Sequence, residues 1–214
     1  MGPKLSAILF DLDGTLIDSI PLILASFRHA LDTHGLGHVT DQAIRDGLGT
    51  PLHAHLHSLA PHLDTDELVA TYRRFNHAEH DRWVSAFEGI HTALDQFTAA
   101  GLPLGIVTSK RTVLARHGVQ VCGLTHDFRT FIGPEEVRQP KPHPEPLLLA
   151  ASQLGIAPKR IAYVGDSHHD LAAANAAGMF AIGAGWGTLD RDRLAAEKPY
   201  RLFDSPSELT TLLA

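Results

Sequence analysis

Leu5-Ser6-Ala7-Ile8-Leu9-Phe10-Asp11-Leu12-Asp13-Gly14-Thr15 is the stretch whose reading decides the fold. Its apolar part, Leu5–Phe10, is a short run with the make-up of a buried strand. It runs straight into two carboxylates spaced i, i+2, and parallel sheets bind ligands beyond the carboxyl ends of their strands. With the chain extended there, both aspartates point to one side. Gly14 permits a sharp turn and lets backbone N–H groups approach an anion. One carboxylate can attack phosphorus while the other handles protons. Aspartate and glycine are also ordinary turn residues, so the stretch alone is read equally well as a solvated turn.

Downstream, Ser19 is placed to cap a helix with Pro21 in its first turn, and Ile20, Ile23, Leu24, Phe27 and Leu31 follow at helical spacing until Gly35. Another helix starts at Asp64, with Glu67 three residues on, and carries Leu68, Tyr72 and Phe75 on one face. From about Phe87 strands and helices alternate. Strands are expected at Leu102–Thr108, Arg129–Ile132, Ile161–Val164 and Met179–Ile182. Helices are expected at Lys110–His117 closed by Gly118, Pro146–Leu154 closed by Gly155, Asp170–Ala177 closed by Gly178, and from Ser205. That alternation predicts an α/β protein with a parallel sheet and helices on both faces. One all-helical block, residues 18–86, interrupts it after the first strand, so the α/β domain consists of residues 1–17 and 87–214.

Three further stretches carry chemistry. Gly165-Asp166-Ser167-His168-His169-Asp170 follows the strand Ile161–Val164, with Asp166 at its end and Asp170 entering the next helix. With Asp11 and Asp13 this sets four carboxylates at one sheet edge. They would repel one another unless a hard cation neutralised them, and Mg²⁺ suits an all-oxygen ligand set. Asp170 alone reads as a helix-start acid on the dipole. Lys141, within Pro140-Lys141-Pro142-His143-Pro144-Glu145-Pro146, sits on a backbone stiffened by proline, which can aim its ammonium at a phosphate oxygen and hold a nucleophile ionised. Thr108 ends the strand and offers a hydroxyl donor, with Ser109 and Lys110 next to it.

The bulk numbers narrow the class. At roughly 100–200 residues per domain, 214 residues make one full domain and a modest second one. With 44% hydrophobic and 20% charged residues the chain can build a core, which excludes wholesale disorder. A net charge of −6 argues against nucleic-acid binding. Cys122 is the one cysteine, so no disulfide framework exists, and packing is favoured over reactivity for it. No run is apolar enough to span a membrane and the N-terminal run leads directly into Asp11, so a cytoplasmic protein without membrane association is expected.

In the four motifs, Asp11–Thr15, Thr108, Lys141 and Gly165–Asp170, the chain resembles the haloacid dehalogenase superfamily, and within it the phosphoglycolate phosphatase-like group. The resemblance covers nearly the whole chain. It implies a Rossmann-like core in which the helical insert is a small cap domain, expected to close over the site and exclude water. It implies a Mg²⁺-dependent phosphatase in which Asp11 becomes an aspartyl phosphate and Asp13 protonates the leaving group and then activates water. Asp11, Asp13 (through its backbone carbonyl) and Asp166 would bind the metal. Thr108, Ser109, Gly14 and Lys141 would hold the phosphate, Lys141 also serving catalysis, and Asp170 would steady the metal waters or Lys141 from behind. Dehalogenases of the family lack the second aspartate, so Asp13 favours phosphate chemistry. Hexose-phosphate mutases usually carry a histidine where this chain has Ile23, which disfavours a mutase; a non-catalytic phosphate-binding protein would have lost one of the acids, and none is missing. A small phosphorylated substrate and a monomer or homodimer are expected. Phe10–Ser19 and Thr108–Lys110 look like phosphoglycolate phosphatases, whereas Tyr72-Arg73-Arg74-Phe75-Asn76 with Glu79-His80-Asp81 looks like a bacterial pyrophosphatase branch. Phosphoglycolate is ranked slightly ahead of pyrophosphate.

Weaker features are read blandly. His53 and His57, four apart on a helix, are solvated positions rather than metal ligands. Arg73, Arg74 and Arg82 are solvated helix charges rather than substrate contacts. Gly183-Ala184-Gly185-Trp186-Gly187 lacks nucleotide-loop spacing and is a strand-to-helix connection.

Overall fold

The computed structural model describes residues 4–48, 50–187 and 190–213. In chain order its main elements are β1 (Ala7–Phe10), β2 (Ile17–Asp18), α1 (Ile20–Thr33), α2 (Asp41–Asp46), α3 (Leu52–Leu59), α4 (Thr65–Trp83), β3 (Ser85–Ala86), α5 (Ile90–Ala99) and β4 (Leu104–Val107). There follow α6 (Thr112–Val121), β5 (Phe128–Ile132), α7 (Glu145–Leu154), β6 (Ile161–Gly165), α8 (His168–Ala177), β7 (Phe180–Ala184), α9 (Arg191–Ala196) and β8 (Arg201–Phe203). A 3₁₀ segment, Pro206–Leu213, replaces the α-helix expected from Ser205. The chain forms two compact units, one running up to Asp18 and resuming at Ser85, the other spanning Ser19–Val84.

The first unit is an α/β Rossmann-like fold. Its six-stranded sheet has the order β5-β4-β1-β6-β7-β8, with every pairing parallel. All four residues of β1 are buried, as the unbroken apolar run Ala7–Phe10 requires of a central strand covered on both faces. Ala7, Leu9, Ile161 and Tyr163 belong to one cluster with Leu147, Ala150, Leu171 and Ala174 of α7 and α8. Phe10 meets Phe97 of α5 at 6.3 Å between rings. Helix α5 was not anticipated from the sequence, although Ile90, Ala93, Leu94 and Phe97 all bury one face at helical spacing. Phe10 pairs in register with Ile106 of β4 and Val164 of β6, so Asp11, the end of β4 and the end of β6 arrive level at one carboxyl edge.

Several expected boundaries move by a few residues. Gly118 does not end α6: it is buried inside a helix that continues to Val121, and the chain turns at Gly123 instead. Helix α8 begins at His168 rather than Asp170, because Ser167 caps it. Ser19 precedes α1 but makes no side-chain cap bond, while the helix closes as expected, with Thr33 its last residue and Gly35 just beyond at φ +76. Two-residue strands β2 and β3 pair antiparallel where the chain leaves the α/β unit and returns to it.

The second unit is all-helical. Phe27, Leu31, Ile44, Leu56, Leu68 and Tyr72 form its core, with Phe27 edge-on to Tyr72 at 5.0 Å and against buried His55 at 4.5 Å. Asp64 caps α4 by accepting from the Asp66 and Glu67 amides. His53 lies 3.5 Å from Asp66, His57 meets the Thr65 hydroxyl at 3.1 Å, and Arg73, Arg74 and Arg82 are exposed. No described helix is long and apolar enough to cross a membrane.

Candidate active site

The site is built at the carboxyl edge of the α/β unit. Asp11 follows β1, and its amide donates to Val164 O at 2.9 Å, which continues the strand pairing through the aspartate. The chain then folds over, with the Gly14 amide donating to Ile17 O at 2.9 Å. Gly14 has φ +79, and a Cβ there would lie 2.3 Å from Asp166 Oδ2. Both the left-handed backbone and the packed carboxylate therefore demand glycine. Thr15 is buried and donates its hydroxyl to Asp166 Oδ1 at 3.1 Å.

Lys141 is the buried cation of this edge. Its ammonium lies 2.5 Å from Asp170 Oδ1, 2.9 Å from the Tyr163 hydroxyl, 3.2 Å from Asp11 Oδ2 and 3.4 Å from Val107 O. The three N–H bonds of Lys141 are thus committed to protein oxygens. Asp170 is fully buried and fully used: Oδ1 faces Lys141 and Tyr163, while Oδ2 accepts from the Ser167 amide and hydroxyl at 3.0 and 2.5 Å. Asp170 Oδ1 is in contact with the Lys141 ammonium. Tyr163 was not anticipated, since it sits in a run that reads as plain apolar strand.

Burial and charge set the protonation pattern. Burial raises Asp11, Lys141 pulls it down and Asp170 pushes it up again, leaving it at about 7. Asp166 is raised well above its ordinary range by burial and then by the charges of Asp170 and Asp11, against the pull of Lys141 and Thr15. Burial also acts to raise Asp170, but the Lys141 charge and the Lys141 and Ser167 hydrogen bonds outweigh it and hold Asp170 low. Burial disfavours the Lys141 ammonium; the charges of Asp11 and Asp170 overcome that and hold its pKa above normal. The group is thus short of positive charge.

Asp11, Asp166 and Asp170 each bring a carboxylate oxygen within 4.8 Å of the others. Asp170 has no oxygen to spare, whereas Asp11 Oδ1 is buried without a hydrogen-bond partner among the described residues. A buried carboxylate oxygen without a partner is costly, and a hard divalent cation is the partner that suits it. The carboxylates of Asp11 and Asp166 fit such an ion.

Asp13 turns to a different cation. Its Oδ1 lies 2.8 Å from the Lys110 ammonium. Thr108 is buried at the end of β4; its amide donates to Ile132 O and its hydroxyl oxygen accepts from the Lys110 amide at 3.1 Å, leaving the O–H free to donate. Ser109 beside it is exposed. Burial pushes the thiol of half-buried Cys122 up to about 11, which disfavours its reactive thiolate form. Gly183–Gly187 closes on the same turn. The Trp186 indole N–H donates to Thr15 O at 3.0 Å, and a Cβ on Gly187 would lie 1.6 Å from Gly14 O. The connection expected there is therefore also a brace, a role carried by contacts that no local spacing reveals.

The comparisons with known proteins agree with this architecture. The family model described as haloacid dehalogenase-like hydrolase matches residues 8–184. The chain is 37% identical over 206 residues to the pyrophosphatase PpaX of Bacillus velezensis, covering 96% of this chain and 95% of that one. It is 35% identical over 210 residues to the protein of the same name from Anoxybacillus flavithermus, covering 98% and 97%. A crystal structure from Haemophilus somnus 129PT, called a predicted phosphoglycolate phosphatase, superposes with a TM-score of 0.87 at 26% identity over 99% of both chains. The chain belongs to the haloacid dehalogenase-like hydrolases and is a phosphatase of that family.

Proposed function

We propose that this phosphatase is magnesium-dependent, takes the phosphoryl group of a small anionic substrate onto Asp11 and passes it to water, with inorganic pyrophosphate as its first substrate. The observation that carries the reaction is Asp11 itself: buried, with Oδ2 held by Lys141 and Oδ1 unpartnered. Asp11, Asp166 and the Asp13 carbonyl would hold Mg²⁺, which when bound supplies the positive charge that keeps Asp11 ionised and lets an anion approach it. An Asp11 oxygen attacks phosphorus, the scissile P–O bond breaks, and the leaving oxygen takes its electron pair and a proton from Asp13. Water then attacks the aspartyl phosphate, Asp13 accepts its proton, and the Asp11–phosphorus bond breaks. Lys141 fixes the nucleophile, and the Thr108 hydroxyl, Ser109 and the Gly14 turn receive the phosphate oxygens. The helical unit acts as the cap.

Support for pyrophosphate over phosphoglycolate, which reverses the order suggested by the motifs, comes from the PpaX proteins of Bacillus velezensis and Anoxybacillus flavithermus, similar over nearly their whole length. Phosphoglycolate stays as the second reading because of the likeness to the Haemophilus somnus structure. The test is phosphate release from pyrophosphate, phosphoglycolate, sugar phosphates and nucleotides, with and without Mg²⁺. Magnesium-dependent release led by pyrophosphate is expected. Release that survives chelation removes the metal from the account, and release led by a sugar phosphate removes the substrate.

The brace gives a separate expectation. Gly187→Ala would drive a methyl into the Gly14 carbonyl and displace the turn that carries Asp13. A shift of about 1 Å at a reacting group can cost roughly 10²-fold, so kcat/KM should fall by about that factor in a protein that still unfolds cooperatively. Wild-type kinetics in this variant would show that the turn does not depend on the loop.

A further inference from the structure

Lys110 is the cation that the reaction at Asp11 leaves unexplained. Its ammonium and the Asp13 carboxylate are 2.8 Å apart, and the two side chains are only 13% and 20% exposed, so the pair is largely withdrawn from water. The aim of Lys110 is built in. Its amide is tied to the Thr108 hydroxyl, and the Thr108 amide is tied to β5 through Ile132 O. The lysine therefore rises from the sheet edge rather than from a loose loop. The Lys141 ammonium already lies among Val107, Tyr163, Asp170 and Asp11, so the cation beside Asp13 is Lys110.

Asp13 is the side chain that meets the leaving oxygen, so whatever is attached to that oxygen meets Lys110. We infer that Lys110 recognises a negative charge on the leaving group and makes the enzyme select phosphates whose leaving group is itself an anion. This rests on the proposed reaction at Asp11. A second phosphate, or a carboxylate close to the ester oxygen, gives the ammonium a new partner and releases Asp13 Oδ1 to turn to the leaving oxygen. A neutral alcohol or phenol offers nothing to the ammonium, which stays on Asp13. The effect is electrostatic: Lys110 forms no covalent bond, and the bonds that form and break are those at phosphorus already described.

The test compares pyrophosphate, phosphoglycolate and p-nitrophenyl phosphate as substrates of the wild type, Lys110→Met and Lys110→Arg, with Asp11→Asn alongside. Using the ratio of kcat/KM values cancels any difference in the fraction of folded protein. Lys110→Met should lower the ratio for pyrophosphate over p-nitrophenyl phosphate by roughly 10²-fold, the scale of losing one hydrogen bond to a charged group that only the anionic leaving group makes. Lys110→Arg, which keeps the charge, should retain most of the ratio. A matching fall for phosphoglycolate would widen the recognised anion to carboxylates, and an unchanged one would confine it to phosphate; either supports the inference. If Lys110→Met lowers all three substrates alike while Asp11→Asn is dead, the Lys110 inference fails and the reaction at Asp11 stands. If Asp11→Asn still turns over, the reaction itself fails.

Discussion

Asp11→Asn is expected to abolish turnover, by at least about 10⁴-fold in kcat, while the protein keeps its fold. The substitution preserves volume at a buried position and removes the carboxylate nucleophile. Its effect on stability should be small because two consequences oppose each other. Lys141 loses one of its two carboxylate partners, but the repulsion of Asp11 with Asp170 and Asp166 is relieved. Steady-state phosphate release together with a thermal unfolding scan separates the two properties. An inactive enzyme with a near wild-type midpoint is the expected pattern. Residual turnover well above the background rate would mean that Asp11 does not form the bond to phosphorus.

Lys141→Met is expected to damage both activity and stability. Lys141 and Asp170 are 4% and 0% exposed at the side chain, and the pair is further tied to Tyr163 and Val107. Methionine fills the space of the stem but leaves Asp170 buried without a counter-charge and Asp11 without its anchor. Removing one partner of a buried ion pair costs about 3–5 kcal/mol, and that is the loss expected in denaturant unfolding at neutral pH. The loss should shrink as pH falls. Without Lys141 the folded-state pKa of Asp170 rises above its unfolded value, so protonation favours the folded protein and the deficit is largest at high pH. Adding Asp170→Asn to Lys141→Met should recover part of the stability and none of the activity. If Lys141→Met unfolds like the wild type across the pH range, the ammonium is not the charge that balances these carboxylates.

The two variants address parts of the site that were unequally visible in the sequence. Asp11, Asp13 and Gly14 fall within four residues at the end of an apolar strand, so the chemistry and its place on the sheet are read from one short stretch. Asp166 and Asp170 follow a second strand in the same way, and the proline-flanked Lys141 announces itself by its stiff surroundings. Their company could not be read in the same fashion. Tyr163 looks like one more residue of a buried strand, and only the fold shows its hydroxyl 2.8 Å from Val107 O and beside Lys141. Lys110 was visible as the neighbour of Thr108, but its partner Asp13 lies 97 positions away in sequence. Trp186 and Gly187 are further still from the turn they brace.

Secondary structure shows the same division between local and distant causes. The strands at the site were legible because β1 and β6 are continuous apolar runs bounded by acids and glycines. Helix α6 overran its expected stop because a glycine can be tolerated within a helix when it packs in a crowded place, and Gly118 is buried there. Helix α8 started early because Ser167 and Asp170 cap each other, so the acid expected at the helix start closes a capping box while its other oxygen meets Lys141. Strands β2 and β3 have two residues each, too few to show any period.

The central claim is that phosphate passes through a covalent bond to Asp11. The most direct measurement is to mix the enzyme and Mg²⁺ with ³²P-labelled pyrophosphate, quench in acid within the first turnover, and map the label on the protein. The account predicts an acid-stable, hydroxylamine-labile label on the peptide that contains Asp11, formed and lost at rates compatible with turnover and missing from Asp11→Asn. Full turnover with no labelled protein at any time, or a label carried by another residue, would contradict it.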